Sequence, residues 1–127
     1  LEVPYTGSPL MPGQICYSGR EPRDQKRDTH SHTAQDRKER PLARGLLDYF
    51  PDALMEIAHV SFVGNEQHNP GQPLHWAKEK STDEADCIMR HLVDRGTLDT
   101  DGMRHTAKVA WRALALLQRE IDAEKIV

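Results

Sequence analysis

From Leu42 onward the apolar residues recur every three or four positions and nowhere alternate convincingly with a period of two. That spacing stacks them on single faces of helices and leaves no half-buried strand from which to build a sheet. Ala53, Leu54, Ile57, Val60, Ser61 and Gly64 share one face. Ala85, Ile88, Met89 and Leu92 share a second, and Met103, Ala107, Ala110, Leu114, Leu117 and Ile121 a third. The pattern predicts an all-α domain with long helices over 53–68, 81–95 and 103–124. Pro51-Asp52 reads as a helix start, with proline in the first turn where its missing N–H costs nothing. Ser81-Thr82-Asp83-Glu84 reads as a capping box, with Glu84 as the reciprocal partner of Ser81. Gly64, lying on an apolar face, predicts the close approach of another helix. Three helices of this length enclose a thin core, so completion of the bundle by oligomerisation is expected.

The first 41 residues differ. Pro4, Gly7, Pro9, Pro12, Gly13 and Gly19 punctuate the start, and only Ile15-Cys16-Tyr17 could form a short strand. Residues 21–40 mix charges of both signs with Ala34 as their one apolar member. Such a stretch cannot bury enough surface to offset its ordering entropy. Residues 1–41 are therefore expected to be an extended or disordered arm before a helical domain at 42–127. His30 and His32 read as surface histidines of that arm. A net charge of -3 and a pI near 6.2 argue against stable nucleic-acid binding. No apolar run is long enough for a membrane span, and no signal-peptide order is present. Two distant cysteines without a CxxC fit reduced thiols in a cytoplasm.

The acids carry the chemistry. Asp83 and Asp86, three residues apart, are neighbours on a helix surface. Glu56 stands in a row with Val60, Val63 and Gln67 at the margin of the first apolar face. If those two helices pack antiparallel, Glu56 meets Asp83 and Asp86, and three carboxylates of this kind suit Mg²⁺ or Mn²⁺. A plainer reading has Asp83 and Glu84 favoured by the helix dipole alone, which leaves Asp86 and Glu56 unexplained. Lys78, Lys80, Arg90, Lys108 and Arg112 surround the same helices, the usual company of a phosphoryl-transfer site. For Lys108 and Arg112 a solvated face is at least as good a reading. His59, His68, His75, His91 and His105 fit no zinc motif and read as hydrogen-bonding or substrate contacts. Trp76 could stack on a base or fill a core. The chain carries no P-loop and no acyl-transfer signature.

Glu56-Ile57-Ala58-His59-Val60, Gly64-Asn65-Glu66-Gln67-His68-Asn69-Pro70-Gly71, Leu74-His75-Trp76, Asp83-Glu84-Ala85-Asp86, Arg90-His91-Leu92 and Asp101-Gly102-Met103-Arg104-His105 resemble the phage dATP/dGTP pyrophosphohydrolases. These are compact relatives of the MazG-like all-α nucleoside triphosphate pyrophosphatases, the MazZ group of phages whose DNA contains 2-aminoadenine. The resemblance covers about 46–117 and not the arm. It implies cleavage of dGTP and dATP to the monophosphate and pyrophosphate with Mg²⁺ or Mn²⁺, inside an infected bacterial host cell. It implies further that the dGMP feeds 2-aminoadenine nucleotide synthesis, and that the enzyme is a dimer or tetramer. The family's ExxD motif corresponds to Asp83-x-x-Asp86. Its ExxE motif is met by Glu56 alone, with His59 in the second place, so His59, Glu66 or a water completes the coordination. On this resemblance Glu56, Asp83 and Asp86 are the expected catalytic metal ligands, with Glu66 a fourth. Trp76, Lys78, Lys80, Arg90, His91 and His105 are the expected substrate contacts. The alternative is a non-catalytic helical module that binds nucleotides or a protein partner.

Overall fold

The computed structural model describes residues 33–126. A single-turn helix, α1 (Ala34–Lys38), is followed by a π-helical turn (Ala43–Leu47), then α2 (Pro51–His68), a 3₁₀ turn (Lys78–Lys80), α3 (Glu84–Val93) and α4 (His105–Ile126). Among the described residues there is no strand, only one isolated bridge between Leu98 and Arg104. The domain is all-α, as the spacing requires. The Ile15-Cys16-Tyr17 segment, His30 and His32 lie outside the described residues. Within the expected arm, α1 forms because Thr33 and Asp36 cap reciprocally. The Thr33 hydroxyl accepts from the Asp36 N–H at 3.0 Å, and the Asp36 carboxylate accepts from the Thr33 N–H at 3.1 Å.

Helix α2 begins at Pro51, as expected, and ends where Asn69-Pro70 cannot continue it. Helix α4 is the spine, since α2 and α3 each pack against it and make at most marginal contact with one another. The antiparallel seam expected between α2 and α3 is therefore absent within one chain. Ala107 and Ala115 lie buried on α4, and their small side chains let a neighbouring backbone approach closely. Cys87 and Met103 complete the fully buried apolar set among the described residues. That core is as thin as three helices suggest.

Several faces differ from the sequence reading. Helix α3 turns Glu84, Cys87, Ile88 and His91 inward, while Ala85, Met89 and Leu92 are exposed. Glu84 is 1% exposed and is not a capping partner. The residue at the α3 N-cap is Asp83, which makes no side-chain cap bond, and Ser81 instead donates to the Asp83 carboxylate at 2.9 Å. Glu84 is buried because Arg119 on α4 reaches it, Nε to Oε2, at 3.1 Å. The same guanidinium donates to the carbonyls of Lys78 and Ser81, tying the 3₁₀ turn to the spine. Leu114, Leu117 and Ile121, expected inward, are exposed in the single chain, because the α4 face that packs runs through Ala107, Trp111 and Ala115.

Candidate functional site

Between α2, α4 and the loop that follows α2 lies a cleft of about 790 Å³, within the 300–1,000 Å³ usual for small-molecule sites. One wall is the row Val60, Val63, Gly64 and Gln67 of α2. A Cβ on Gly64 would meet no heavy atom within 4 Å. Gly64 therefore does not mark a helix contact; its missing side chain leaves the cleft open. The opposite wall is Lys108, Trp111 and Arg112, on adjacent turns of α4. The Trp111 indole N–H donates to the Ser61 hydroxyl at 2.7 Å and joins the two walls.

The loop over the cleft is pinned by Asn65, itself buried. Its amide N–H donates to the Gln72 carbonyl at 2.9 Å, and its oxygen accepts the His75 N–H at 3.3 Å. Between these anchors Asn69-Pro70-Gly71-Gln72 forms a turn closed by Gln72 N–H to the Asn69 carbonyl at 3.0 Å. Proline then glycine at its centre, with Gly71 at φ 78°, is the type II arrangement. The loop delivers Trp76 edge-on to Trp111, with ring centroids 5.4 Å apart and planes at 75°. Lys78 lies 5.0 Å from the Trp76 ring centroid and is ion-paired to Asp122 at 3.0 Å.

A second loop brings charge to the cleft. Asp99 N–H donates to the Met103 carbonyl at 2.7 Å, and Gly102, at φ 83°, closes a turn back to the Asp99 carbonyl at 2.9 Å. Asp99 and Asp101 are thereby presented together to Lys108, whose ammonium lies 2.6 Å from one and 2.8 Å from the other. Gln67 of α2 donates to the Asp101 carboxylate at 3.2 Å. The hydrogen bond from Lys108, aided by the Thr100 N–H, lowers the Asp99 pKa to about 2. The Lys108 bond also lowers Asp101. Burial pushes Lys108 down, but the bonds from Asp101 and Asp99 outweigh it and raise the ammonium's pKa. Beside them, the Nδ1 atoms of His91 and His105 are 2.9 Å apart. His91 is lowered by burial first and by the Lys108 charge second, so it stays a neutral imidazole near pH 7.

Lys80 and Arg112 line the cleft without an ion pair among the described residues, and Arg112 is the better placed by its contacts. It donates to the Ser81 hydroxyl at 3.1 Å, lies 5.7 Å from the Trp111 ring centroid and makes no ion pair among the described residues. Of the expected substrate contacts, Trp76, Lys80 and His91 line this cleft and His105 touches His91. Lys78 and Arg90 do not line it, and Arg90 donates instead to the buried Cys87 sulfur at 3.2 Å. Glu56, Glu66, Asp83 and Asp86 are all exposed and none lines the cleft. Asp83 is lowered by its bond from Ser81. A hard Mg²⁺ site needs several oxygens at one point, and one chain does not gather these four. The set the fold does gather is His91, Asp99 and His105. Lys108 and Arg112, which could equally have been solvated surface residues, belong to the cleft, as does Trp111, which local pattern does not distinguish from a core residue. Two tryptophans in so aromatic-poor a chain, and Asp99-x-Asp101-Gly102 ahead of His105 and Lys108, were the signals available.

Residues 30–126 match the family model described as dATP/dGTP diphosphohydrolase, N-terminal. The chain belongs to this family. No curated protein and no solved structure matches it. Membership makes this diphosphohydrolase domain an enzyme of the nucleoside triphosphate pyrophosphatase class, acting on deoxynucleoside triphosphates. No helix among its described residues is long and apolar enough to cross a membrane.

Proposed function

We propose that the domain converts dGTP and dATP to dNMP and pyrophosphate in the cleft between Trp76 and Trp111. One observation carries the reading: Arg112, a guanidinium with no ion pair among the described residues, stands beside a hydroxyl and two indoles in a nucleotide-sized cleft. Arg112 and Lys80 would take the triphosphate, with the Ser81 hydroxyl as a further donor. Trp76 offers its face to the purine, and Lys78 holds that ring by a cation–π contact. Asp99 and Asp101, held ionised by Lys108, are too weakly basic to take a proton from water and act by fixing Lys108 and the loop. Mg²⁺ or Mn²⁺ bound with the triphosphate would supply positive charge against that of the departing pyrophosphate.

The reading extends to a dimer or tetramer. Leu114 and Leu117 are about half exposed, at 50% and 52%, and burying the exposed half of each against another copy is worth about 0.8–1.5 kcal/mol. An oligomer is also the arrangement in which the exposed Glu56, Glu66, Asp83 and Asp86 could share an ion. The dGMP released would feed 2-aminoadenine nucleotide synthesis in a phage-infected bacterial cell, while dATP is removed from the pool. The test is pyrophosphate release from dGTP and dATP by the wild type and by R112A and W76A. R112A should raise KM at least tenfold, and W76A should raise it for both purines. Rates unchanged in both variants, or nucleotide binding without any turnover by the wild type, would overturn the assignment.

A further inference from the structure

His105 is only 9% exposed, yet its ring makes one hydrogen bond among the described residues, to His91. That contact joins the two Nδ1 atoms through a single shared proton and turns two possible metal donors toward one point. A third donor completes the group. One donor atom each from His91, Asp99 and His105 lies within 4.8 Å of the other two. The three come from different segments: the last turn of α3, the tight loop, and the first residue of α4. The hydrogen bonds of the loop and the first turn of α4 fix the latter two, so the arrangement is built by the fold and not by adjacent surface side chains.

We propose that His91, Asp99 and His105 form a resident site for a six-coordinate, borderline first-row divalent cation such as Mn²⁺ or Co²⁺. Two imidazoles and one carboxylate favour such ions over Mg²⁺, which prefers oxygen alone. The spacing of the two nitrogens bears on the geometry. With metal–nitrogen bonds of about 2.1 Å, ligands at a right angle lie about 3.0 Å apart and tetrahedral ligands about 3.4 Å. The 2.9 Å hydrogen bond between the Nδ1 atoms already holds them near the right-angle spacing, so an ion could replace the shared proton with little movement. Three protein donors leave the other positions of a six-coordinate ion open, and His91 and Asp99 line the cleft. Asp99 can serve although Lys108 holds one oxygen at 2.6 Å and the Thr100 N–H the other at 2.6 Å, because each carboxylate oxygen keeps a further lone pair.

The experiment uses the whole chain without nucleotide. Mn²⁺ alone is titrated while free Mn²⁺ is counted by electron paramagnetic resonance, with Co²⁺ absorption as a second probe of coordination number. The expected result is about one Mn²⁺ per chain, a weak six-coordinate Co²⁺ spectrum, and at least tenfold weaker binding in H91Q and D99N. A melting curve on each variant confirms that it is folded, and H105Q is added only if it melts cooperatively. Absence of Mn²⁺ and Co²⁺ binding by the wild type, or unchanged affinity in folded H91Q and D99N, would overturn the site. Because no substrate is present, failure here leaves dNTP cleavage standing, and failure of cleavage leaves the metal result standing.

Discussion

The Glu84–Arg119 pair predicts an asymmetry that can be measured. Glu84 has a side chain only 2% exposed, whereas Arg119 is 25% exposed and also donates to the Lys78 and Ser81 carbonyls. Replacing Arg119 with Met leaves a carboxylate in the interior with no cation, and leaves two carbonyls without that donor. Breaking a buried pair in this way costs about 3–5 kcal/mol. Replacing Glu84 with Gln removes the charge but keeps an oxygen acceptor of nearly the same shape. Arg119 then still has water and two carbonyls, so the loss is that of one charge-assisted hydrogen bond, about 1.5–3 kcal/mol. E84M/R119M removes both charges, and the double variant should be more stable than R119M alone. Urea unfolding followed by circular dichroism reads all three, provided the slope with denaturant is unchanged. With E84M as the remaining corner, a double-mutant cycle should return a coupling of at least about 1 kcal/mol. If R119M proves no more destabilising than E84Q, or the coupling is near zero, the pair is not the tie described above. For a domain whose total stability is about 5–15 kcal/mol, R119M alone should lower the urea midpoint severely.

Two further outcomes follow from the cleft. Gly64 lies in mid-helix with open space where a Cβ would sit, so G64A should stabilise the fold by about 0.5–1 kcal/mol, while G64L should keep the fold and raise KM for dGTP by filling the cleft. A G64L variant that turns over dGTP like the wild type would show that substrate does not pass Gly64. Asn65→Ala strips partners from the Gln72 carbonyl and the His75 N–H, and should cost about 1–2 kcal/mol and expose the loop to limited proteolysis. Unchanged cleavage near Asn69-Pro70-Gly71 would mean that the loop is held by something else.

What the sequence reveals depends on how local the cause is. Helices α2 and α4 are legible because Pro51 marks a start and because apolar residues repeat at helical spacing along both. The extent of α3 is roughly legible, but its inward face is not. That face is built from Glu84, Cys87, Ile88 and His91, so hydrophobic periodicity selects Ala85, Met89 and Leu92 instead, about 100° round the helix. The reason Glu84 can be buried sits 35 positions away at Arg119, beyond any window of local pattern. Its spacing from Ser81 imitates a capping box, and the imitation hides the ion pair. The site divides in the same way. Trp76, Lys80, His91 and His105 are readable from residue type, whereas the exclusion of Glu56 from any acid cluster depends on which helices pack together.

The charge of the cleft completes the argument. The chain as a whole is acidic, at -3, which by itself would repel a triphosphate. Among the residues lining the cleft, however, Lys80, Lys108 and Arg112 outnumber Asp99 and Asp101 by one. The two acids pair with Lys108, at 2.6 and 2.8 Å, and the three keep one negative charge against the two positive charges of Lys80 and Arg112. Lys80 and Arg112 therefore set the sign of the field a substrate meets, and low-dielectric walls of Val60, Val63 and the tryptophans strengthen it. The acids sit just ahead of His105, at the positive end of the α4 dipole, which steadies their ionised form. A divalent ion on His91, Asp99 and His105 would add two further positive charges there. Local sequence places carboxylates, ammonium and imidazoles around the start of one helix, and the packing of that helix turns an acidic chain into a cationic receptor for an anion.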